Sequence, residues 1–268
     1  MSRIDDTFSE LRTKKQTGFI AYVTAGDPDL ERSTVILETL GQAAVDIIEV
    51  GIPFSDPLAD GPAIQRASER ALSSGTTLKS SLQMIERVRK RVECPLVLFT
   101  YANPVMAMGV GEFMARAADA GVDGLLVLDL PIEEADGTRE MAIASNIDPI
   151  FLLSPTTTRE RIERAAELGR GFLYAISRLG VTGQRDSMDA GVSDMINRIR
   201  QVTQRPIALG FGISQPDHVG QVGQLADAAV VGSGLVSRIA EVATSGDMAA
   251  EIHRYVQWLK SGLNCRDV

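Results

Sequence analysis

The segment DIIEVGIPFSDPLADGP, residues 46–62, gives the clearest indication of how this chain folds. It opens with a short apolar run rich in isoleucine, continues through a long loop with two prolines and two aspartates, and reaches a third proline at Pro62. An amphipathic stretch, Ala63–Ser73, follows. A short apolar run bounded by Gly and Pro predicts a buried strand. Strand, loop and helix in this order predict one βα unit of a parallel sheet.

The same order recurs along the 268 residues. Strands are predicted at eight places, each followed by helical sequence: Gly18–Val23, Asp46–Val50, Leu96–Tyr101, Gly124–Asp129, Pro149–Leu153, Phe172–Ser177, Ile207–Gly210 and Ala228–Val231. Further helices are predicted at both ends, Ile4–Lys14 and Met248–Leu259. Eight βα units without a long linker predict an α/β fold, a (β/α)8 or TIM barrel with an extra N-terminal helix and a C-terminal helix. We expect residues 1–268 to form a single TIM-barrel domain.

An open, doubly wound sheet is the alternative fold. Such sheets carry a glycine-rich fingerprint after the first strand, but that turn reads Thr24-Ala25-Gly26-Asp27-Pro28 here. A faint repeat also favours the barrel, because Asp46, Asp123 and Asp227 each lie at a helix-to-strand junction. We expect these aspartates to accept hydrogen bonds from backbone amides at the end of the barrel away from the active site.

The charge balance argues against polyanionic partners. The 27 Lys and Arg residues against 35 Asp and Glu give a net charge of −8, so there is no basic excess for nucleic acid or an anionic membrane. No apolar run approaches the roughly 20 residues of a membrane helix, and the first residues do not resemble a signal peptide. We expect a cytoplasmic protein that binds neither nucleic acid nor membrane.

The positions of the reactive side chains exclude several mechanisms. Active sites of such barrels lie at the carboxyl ends of the strands, whereas His218 and His253 fall in predicted helices. The five lysines also lie away from strand ends, which disfavours a Schiff base. Cys94 and Cys265 are too few for a metal site or disulfide framework and are interpreted as free thiols. Carboxylates and tyrosines remain as candidates.

Two carboxylates of residues 46–62 are the strongest candidates. Glu49 interrupts an apolar strand, so burial disfavours its charged form and raises its pKa into a range useful for proton transfer. The stiff loop after the strand holds Asp60 over the mouth of the barrel. Structural roles remain open for both residues: Glu49 paired to a cation or hydrogen-bonded at the rim, and Asp60 as a helix-terminal aspartate.

Glycine-rich loops after the last two predicted strands indicate a phosphate site. They are Gly210–Ser214 and Gly232–Gly234, and Val181–Gly183 lies in the loop after the sixth predicted strand. In barrels these loops and the adjacent helix N-termini often bind phosphate. The first two loops contain neither lysine nor arginine, so backbone amides and the Ser233 hydroxyl are the predicted donors.

Six blocks of sequence resemble the tryptophan synthase alpha chain family. They occur in the family's order and cover essentially the whole chain: Thr24–Pro28, Glu49–Pro62, Tyr101–Pro104, Asp129–Pro131, Ser177–Gly183 and Gly210–Ile213. The resemblance implies a reversible retro-aldol cleavage of indole-3-glycerol phosphate to indole and glyceraldehyde 3-phosphate. It also implies no metal or organic cofactor in this chain, and a pyridoxal-phosphate-dependent beta subunit as partner in an alpha2beta2 heterotetramer that receives indole through a tunnel.

The resemblance also implies roles for individual residues. Glu49 would move protons as general acid and base, and Asp60 would bind the indole N–H. Asp56 would face the beta subunit. The substrate would contact Tyr22, Ile64, Tyr101, Leu126, Tyr174 and Thr182, and its phosphate would contact Gly183, Phe211, Gly212, Gly232 and Ser233. Tyr22 departs slightly from the family, in which phenylalanine is common at that position.

Two other functions remain open at this point. Another phosphate-binding barrel, such as a sugar-phosphate isomerase or epimerase, would share the glycine-rich loops but gives no reason for the pairing of Glu49 with Asp60. A catalytically weak subunit that mainly activates a partner enzyme is the other alternative. Release of indole from indole-3-glycerol phosphate by the isolated chain, with and without a beta subunit, discriminates among the three.

Overall fold

A nearly closed barrel of parallel strands forms the centre of the molecule. The computed structural model describes residues 1–176, 190–210 and 212–263. The strands in this part of the chain are β1 Gly18–Thr24, β2 Ile47–Gly51, β3 Leu96–Thr100, β4 Gly124–Val127, β5 Asp148–Pro149, β6 Phe151–Leu153, β7 Leu173–Ile176, β8 Ile207–Gly210 and β9 Ala228–Val231. Their order is β5-β4-β3-β2-β1-β9-β8-β7-β6. The predicted TIM barrel is confirmed.

The count of nine strands differs from the predicted eight because the fifth predicted strand, Pro149–Leu153, is divided. β5 pairs with β4, and β6 pairs with β7. Ile150 lies between the two pieces and donates its backbone N–H to Leu125 O at 2.8 Å. Pro149 has no N–H to contribute to a ladder. The two pieces together occupy one barrel position, between β4 and β7.

Helices cover the outside of the barrel in the described ranges. They are α1 Arg3–Thr13, α2 Leu30–Gln42, α3 Pro62–Ser73, α4 Leu78–Arg89, α5 Ala102–Met108, α6 Val110–Asp119, α7 Asp136–Ala144, α8 Arg159–Leu168, α9 Ala190–Arg200, α10 Pro216–Gly223, α11 Ser233–Val242 and α12 Met248–Lys260. The extra helices at the two ends, α1 and α12, are confirmed. Helix α5 is a short helix that the sequence patterns did not predict. Gly109, at φ +88°, separates it from α6.

Two separate apolar clusters hold these layers together. The outer cluster lies between the strands and the surrounding helices, and the inner cluster fills the barrel. Helix α1 contributes Ile4, Phe8 and Leu11 to the inner cluster, and the Phe8 ring lies 5.7 Å from that of Phe172. Helix α1 therefore packs into the end of the barrel opposite the carboxyl ends of the strands.

The three aspartates at helix-to-strand junctions stabilise the end of the barrel at which the strands begin. Asp46 accepts a hydrogen bond from Phe19 N at 2.7 Å, Asp123 one from Leu96 N at 2.9 Å, and Asp227 one from Ile207 N at 2.8 Å. Each bond ties a helix-to-strand junction to the first residues of another strand, so the predicted structural role of the three aspartates is confirmed.

A membrane-spanning helix is not found in the described ranges, where the longest helices, α2 and α12, have 13 residues each.

Candidate active site

Glu49 lies in the middle of β2 and is completely buried. It is in register with Tyr22 of β1 on one side and with Val97 of β3 on the other. Both neighbours belong to the inner cluster, and side chains in register on adjacent strands point to the same face. The carboxyl group of Glu49 therefore lies inside the barrel, among apolar side chains.

Burial governs the acidity of Glu49. Loss of hydration is the main cause that raises its pKa to about 8; the Tyr174 hydroxyl opposes the rise by donating to Oε2 at 3.4 Å, and the charge of Asp60 contributes to it. Oε1 has no hydrogen-bond partner among the described residues. At neutral pH the group is therefore protonated, with one oxygen held by Tyr174 and the other available. Glu49 forms no ion pair with any of the described residues, so that one of the structural roles left open above does not apply.

Aromatic rings surround Glu49. Tyr22 meets Phe99 edge-to-face with ring centroids 5.4 Å apart, and Tyr174 lies 6.5 Å from Phe99 and 6.4 Å from Phe172. Burial raises the pKa values of both tyrosines well above normal, so both phenols stay neutral. These rings exclude water from the carboxyl group and maintain its raised pKa.

Asp60 lies in the loop between β2 and α3 and is held by a tyrosine from the next strand. Tyr101, directly after β3, donates its hydroxyl to Asp60 Oδ2 at 3.0 Å and accepts a hydrogen bond from Ala59 N at 3.1 Å. Burial raises the pKa of Asp60 to about 6, and the hydrogen bond from Tyr101 opposes the rise. Asp60 is therefore ionised at neutral pH, in contrast to Glu49.

The loop that carries Asp60 has further supports. The Gln65 side-chain amide donates to Asp60 O at 2.9 Å, and the Phe54 ring packs against that of Tyr101 at 5.1 Å. Helix α3 follows the loop and is anchored by Arg70, which donates Nε and Nη2 to buried Asp27 at 2.7 and 2.8 Å. These contacts fix the backbone around Asp60 from both ends.

Four of the predicted substrate contacts lie together in one cluster. Tyr22, Leu126 and Tyr174 are buried members of the inner cluster, and Ile64 of α3 packs against it. Because Glu49 points into the same space, the apolar walls and the protonated carboxyl group lie together inside the barrel. Tyr101 contacts Asp60 from the side of β3.

The two predicted phosphate loops are in contact with each other. Ser233 is the first residue of α11, and Gly232 is its N-cap. A Cβ added at Gly234 would lie 2.7 Å from Ile213 O, so the backbone after β8 packs directly on the first turn of α11. Gly212 has φ +72°, a conformation that favours glycine. The first amides of α11, which have no acceptor within the helix itself, therefore lie beside the loop after β8.

Three predicted site residues, Thr182, Gly183 and Phe211, lie outside the described residues. Asp56 is exposed in the Asp60 loop, where its carboxylate accepts a hydrogen bond from Ser55 Oγ at 2.5 Å. It does not lie with Glu49 inside the barrel. Clusters of three or more His, Cys, Asp or Glu side chains suited to a metal ion are not found in ranges 1–176, 190–210 and 212–263.

Some residues that shape the site were missed by the sequence reasoning. Gln65 and Arg70 act through contacts with Asp60 and Asp27 that only the folded loop brings together. Gly51 is a third example: a Cβ there would lie 2.1 Å from the Tyr22 hydroxyl, so the ring fits only above a glycine. The polar positions of α3 were the available signal, since both Gln65 and Arg70 lie in that helix.

Fold and site together define a class of protein. They describe a (β/α)8-barrel enzyme with a protonated carboxyl group on strand β2 and an ionised one in the loop that follows the same strand. Opposite protonation states in two adjacent carboxyl groups are the usual arrangement for acid–base catalysis.

Comparison with known proteins narrows the class to one family. Residues 8–264 match the family model described as "Tryptophan synthase alpha chain". The alpha chain of Solibacter usitatus is 43% identical, over 99% of this chain and all of that protein, and the one from Cyanothece sp. is 46% identical over 98% of each. A chain of Mycobacterium tuberculosis tryptophan synthase superposes with a TM-score of 0.90 at 34% identity, covering 97% of this chain and 98% of that one.

The chain therefore belongs to the tryptophan synthase alpha chain family. It is a carbon–carbon lyase of tryptophan biosynthesis, which cleaves indole-3-glycerol phosphate to indole and glyceraldehyde 3-phosphate. The resemblance inferred from the six sequence blocks is confirmed.

Proposed function

We propose that Glu49 is the general acid and general base of the cleavage. The observation that carries this proposal is the buried carboxyl group with its pKa raised to about 8 and its Oε1 unpaired among the described residues. Glu49 gives its proton to indole C3, and the resulting carboxylate takes the proton of the side-chain hydroxyl next to the breaking bond. The carbon–carbon electron pair passes into the indole ring. Glu49 thus begins and ends the reaction protonated.

Asp60 has the complementary role in this proposal. Protonation of C3 places positive charge on the indole ring, and an ionised carboxylate at the N–H stabilises that charge most strongly as it develops. Tyr101 supports Asp60 by fixing Oδ2 through the 3.0 Å hydrogen bond. Because the proton balance closes on Glu49 alone, we propose that this chain needs no metal or organic cofactor.

The remaining predicted contacts form the rest of the proposed site. Tyr22, Ile64, Leu126 and Tyr174 would enclose the indole ring, as their common apolar cluster suggests. Gly212, Gly232 and Ser233 would bind the phosphate, for which the free amides at the start of α11 are suitable donors. Gly183 and Phe211 would complete the phosphate site, and Thr182 would close over the substrate.

A charge placed at Gly212 tests the phosphate site. A Cβ at Gly212 would meet no described atom within 4 Å, so the main structural cost of Gly212→Asp is the strain of a side chain at φ +72°. Repulsion between two anions is expected to raise the KM for indole-3-glycerol phosphate by about tenfold or more. The matched variant Gly212→Asn has similar shape and backbone strain without the charge, and we expect it to raise KM much less. An unchanged KM in Gly212→Asp would place the phosphate elsewhere.

We further propose that the Asp60 loop faces the beta subunit. Leu58 is 92% exposed in this loop, and Met106 of α5 is 54% exposed. Large apolar side chains that are exposed to solvent, such as Leu58 two residues from Asp56, are suited to a partner surface. The partner would be the pyridoxal-phosphate-dependent beta subunit in an alpha2beta2 heterotetramer, with indole passing between the subunits.

We also propose that residues 1–268 form one domain and that the protein works in the cytoplasm.

Indole release tests the proposed function and its coupling to the partner. The isolated chain is expected to cleave indole-3-glycerol phosphate slowly. Addition of a beta subunit is expected to raise kcat by about tenfold or more, because loop closure excludes water and completes the site. Equal rates with and without the beta subunit would refute the coupling. The absence of indole under both conditions would refute the assignment of the site.

A further inference from the structure

Strand β1 brings two hydroxyl groups to the indole pocket that the cleavage does not use. Tyr22 and Thr24 are two residues apart, so their side chains lie on the same face of the sheet, inside the barrel. Tyr22 is 4% exposed and Thr24 is 2% exposed. Thr24 Oγ1 makes no hydrogen bond of ordinary length within the described ranges, and its weak hydrogen bond with Tyr22 only partly offsets the raised pKa of that phenol.

The register of the strands places these hydroxyls near the next inward-facing position after Glu49, towards the carboxyl ends of the strands. Tyr22 is paired with Glu49 and Thr24 with Gly51. The Tyr22 ring reaches across to β2, where its oxygen lies 2.1 Å from the point that a Cβ of Gly51 would occupy. The hydroxyl therefore stands at the level of the inward position that follows Glu49, towards the mouth of the barrel.

Both carboxylates act on the Tyr22 hydroxyl. After burial, the charge of Asp60 is the largest influence that raises the pKa of Tyr22, and the charge of Glu49 raises it as well. The phenol consequently stays neutral and keeps its capacity both to donate and to accept. Its position near both groups places it beside the indole ring that Glu49 and Asp60 would contact.

Once its N–H is bound by Asp60, an unsubstituted indole ring has no further polar atom for these hydroxyls to bond. Its carbon edge would cover polar atoms, and a buried hydroxyl left without a partner is unfavourable. A site with buried hydrogen-bonding groups discriminates in favour of the ligand that satisfies them. We propose that Tyr22 and Thr24 form a hydrogen-bonding subsite in the indole pocket, which favours a hydroxyl or amino substituent on the carbon ring of the substrate. The proposal rests on the proposed function, because it uses the same pocket.

Binding of ligands that cannot react tests the subsite separately from catalysis. The probes are 3-(indol-3-yl)propyl phosphate and its derivatives with either a hydroxyl or a methyl group at each carbon-ring position. A methyl group and a hydroxyl group are close in size. The ratio of the dissociation constants of the two derivatives therefore reports hydrogen bonding rather than steric fit. At one ring position the wild-type chain is expected to bind the hydroxyl derivative about fivefold or more tightly than the methyl derivative.

Removal of either hydroxyl should reduce that preference. Tyr22→Phe deletes the phenol oxygen and keeps the ring, and Thr24→Val deletes the other hydroxyl with little change in volume. We expect the hydroxyl-to-methyl ratio to fall towards one in Tyr22→Phe and to decrease in Thr24→Val. A wild-type chain that shows no preference at any ring position, or a preference that survives Tyr22→Phe, would overturn the subsite.

The two proposals fail in different ways. Because the probes do not react, their binding ratios are independent of whether Glu49 moves protons. Normal turnover in Glu49→Gln would refute the catalytic role of Glu49. It would not bear on the subsite, which the binding ratios test. Failure of the wild-type chain to bind any of the probes would refute the pocket itself, and the subsite with it.

Discussion

The Glu49→Gln variant is expected to lose indole release almost completely, with kcat lowered by about 10⁴-fold, the upper range for general acid–base catalysis. Glutamine cannot supply a proton to indole C3 or take one from the side-chain hydroxyl. The amide is neutral and has the shape of a protonated Glu49, and its oxygen can still accept the hydrogen bond from Tyr174. Stability and binding should therefore change little. Steady-state kinetics with indole-3-glycerol phosphate measures the effect.

Two controls separate this loss from general damage to the fold. Glu69→Gln makes the same chemical change on the exposed side of α3 and is expected to keep kcat within twofold, as surface changes usually do. Binding of 3-(indol-3-yl)propyl phosphate to Glu49→Gln should remain close to that of the wild-type chain. Turnover by Glu49→Gln near the wild-type rate would show that another group moves the protons.

The Asp60→Asn variant is expected to show the second-largest effect, a decrease in kcat/KM of about 10²- to 10³-fold. A charge that faces the developing positive charge in the transition state contributes on this scale. Asparagine retains an oxygen that can accept the hydrogen bond from Tyr101, so the loop should keep its position. Asp119→Asn, an exposed change at the end of α6, serves as the matched control.

The pH profile adds a qualitative test of Asp60. Glu49 acts from its protonated form, so activity falls as the pH rises through its pKa of about 8. Asp60 acts from its ionised form, so activity falls as the pH drops through its pKa of about 6. The wild-type kcat/KM should therefore be highest between these values. Asp60→Asn should lose the acid limb near pH 6 and retain the alkaline one; an acid limb that persists in this variant would contradict the role of Asp60.

The chemistry of β2 could be predicted from the sequence because its cause is local. Glu49 stands between apolar neighbours within one strand, and burial in such a strand raises the pKa of a carboxyl group whatever lies further away. The alternation of strands and helices likewise follows from short-range patterns, which is why the barrel and both terminal helices were predicted.

The environment of Asp60 could not be predicted in the same way. Its protonation state depends on Tyr101, which lies 41 residues further along the chain. The contact between Asp27 and Arg70 spans 43 residues. The division of the fifth strand depends on how Ile150 bonds to Leu125 of the neighbouring strand. Such contacts arise from tertiary packing, which hydrophobic periodicity and residue type do not reveal.

Cleavage requires a protonated Glu49, and a carbon-13 NMR titration of its side-chain carboxyl group measures that protonation directly. Selective glutamate labelling, with Glu49→Gln to assign the resonance, follows this one group from pH 5 to pH 10. We predict a carboxyl that is still protonated at pH 7 and titrates near pH 8. A resonance that is already that of a carboxylate at pH 6 would refute the role of Glu49 as general acid, because it would then have no proton to deliver to indole.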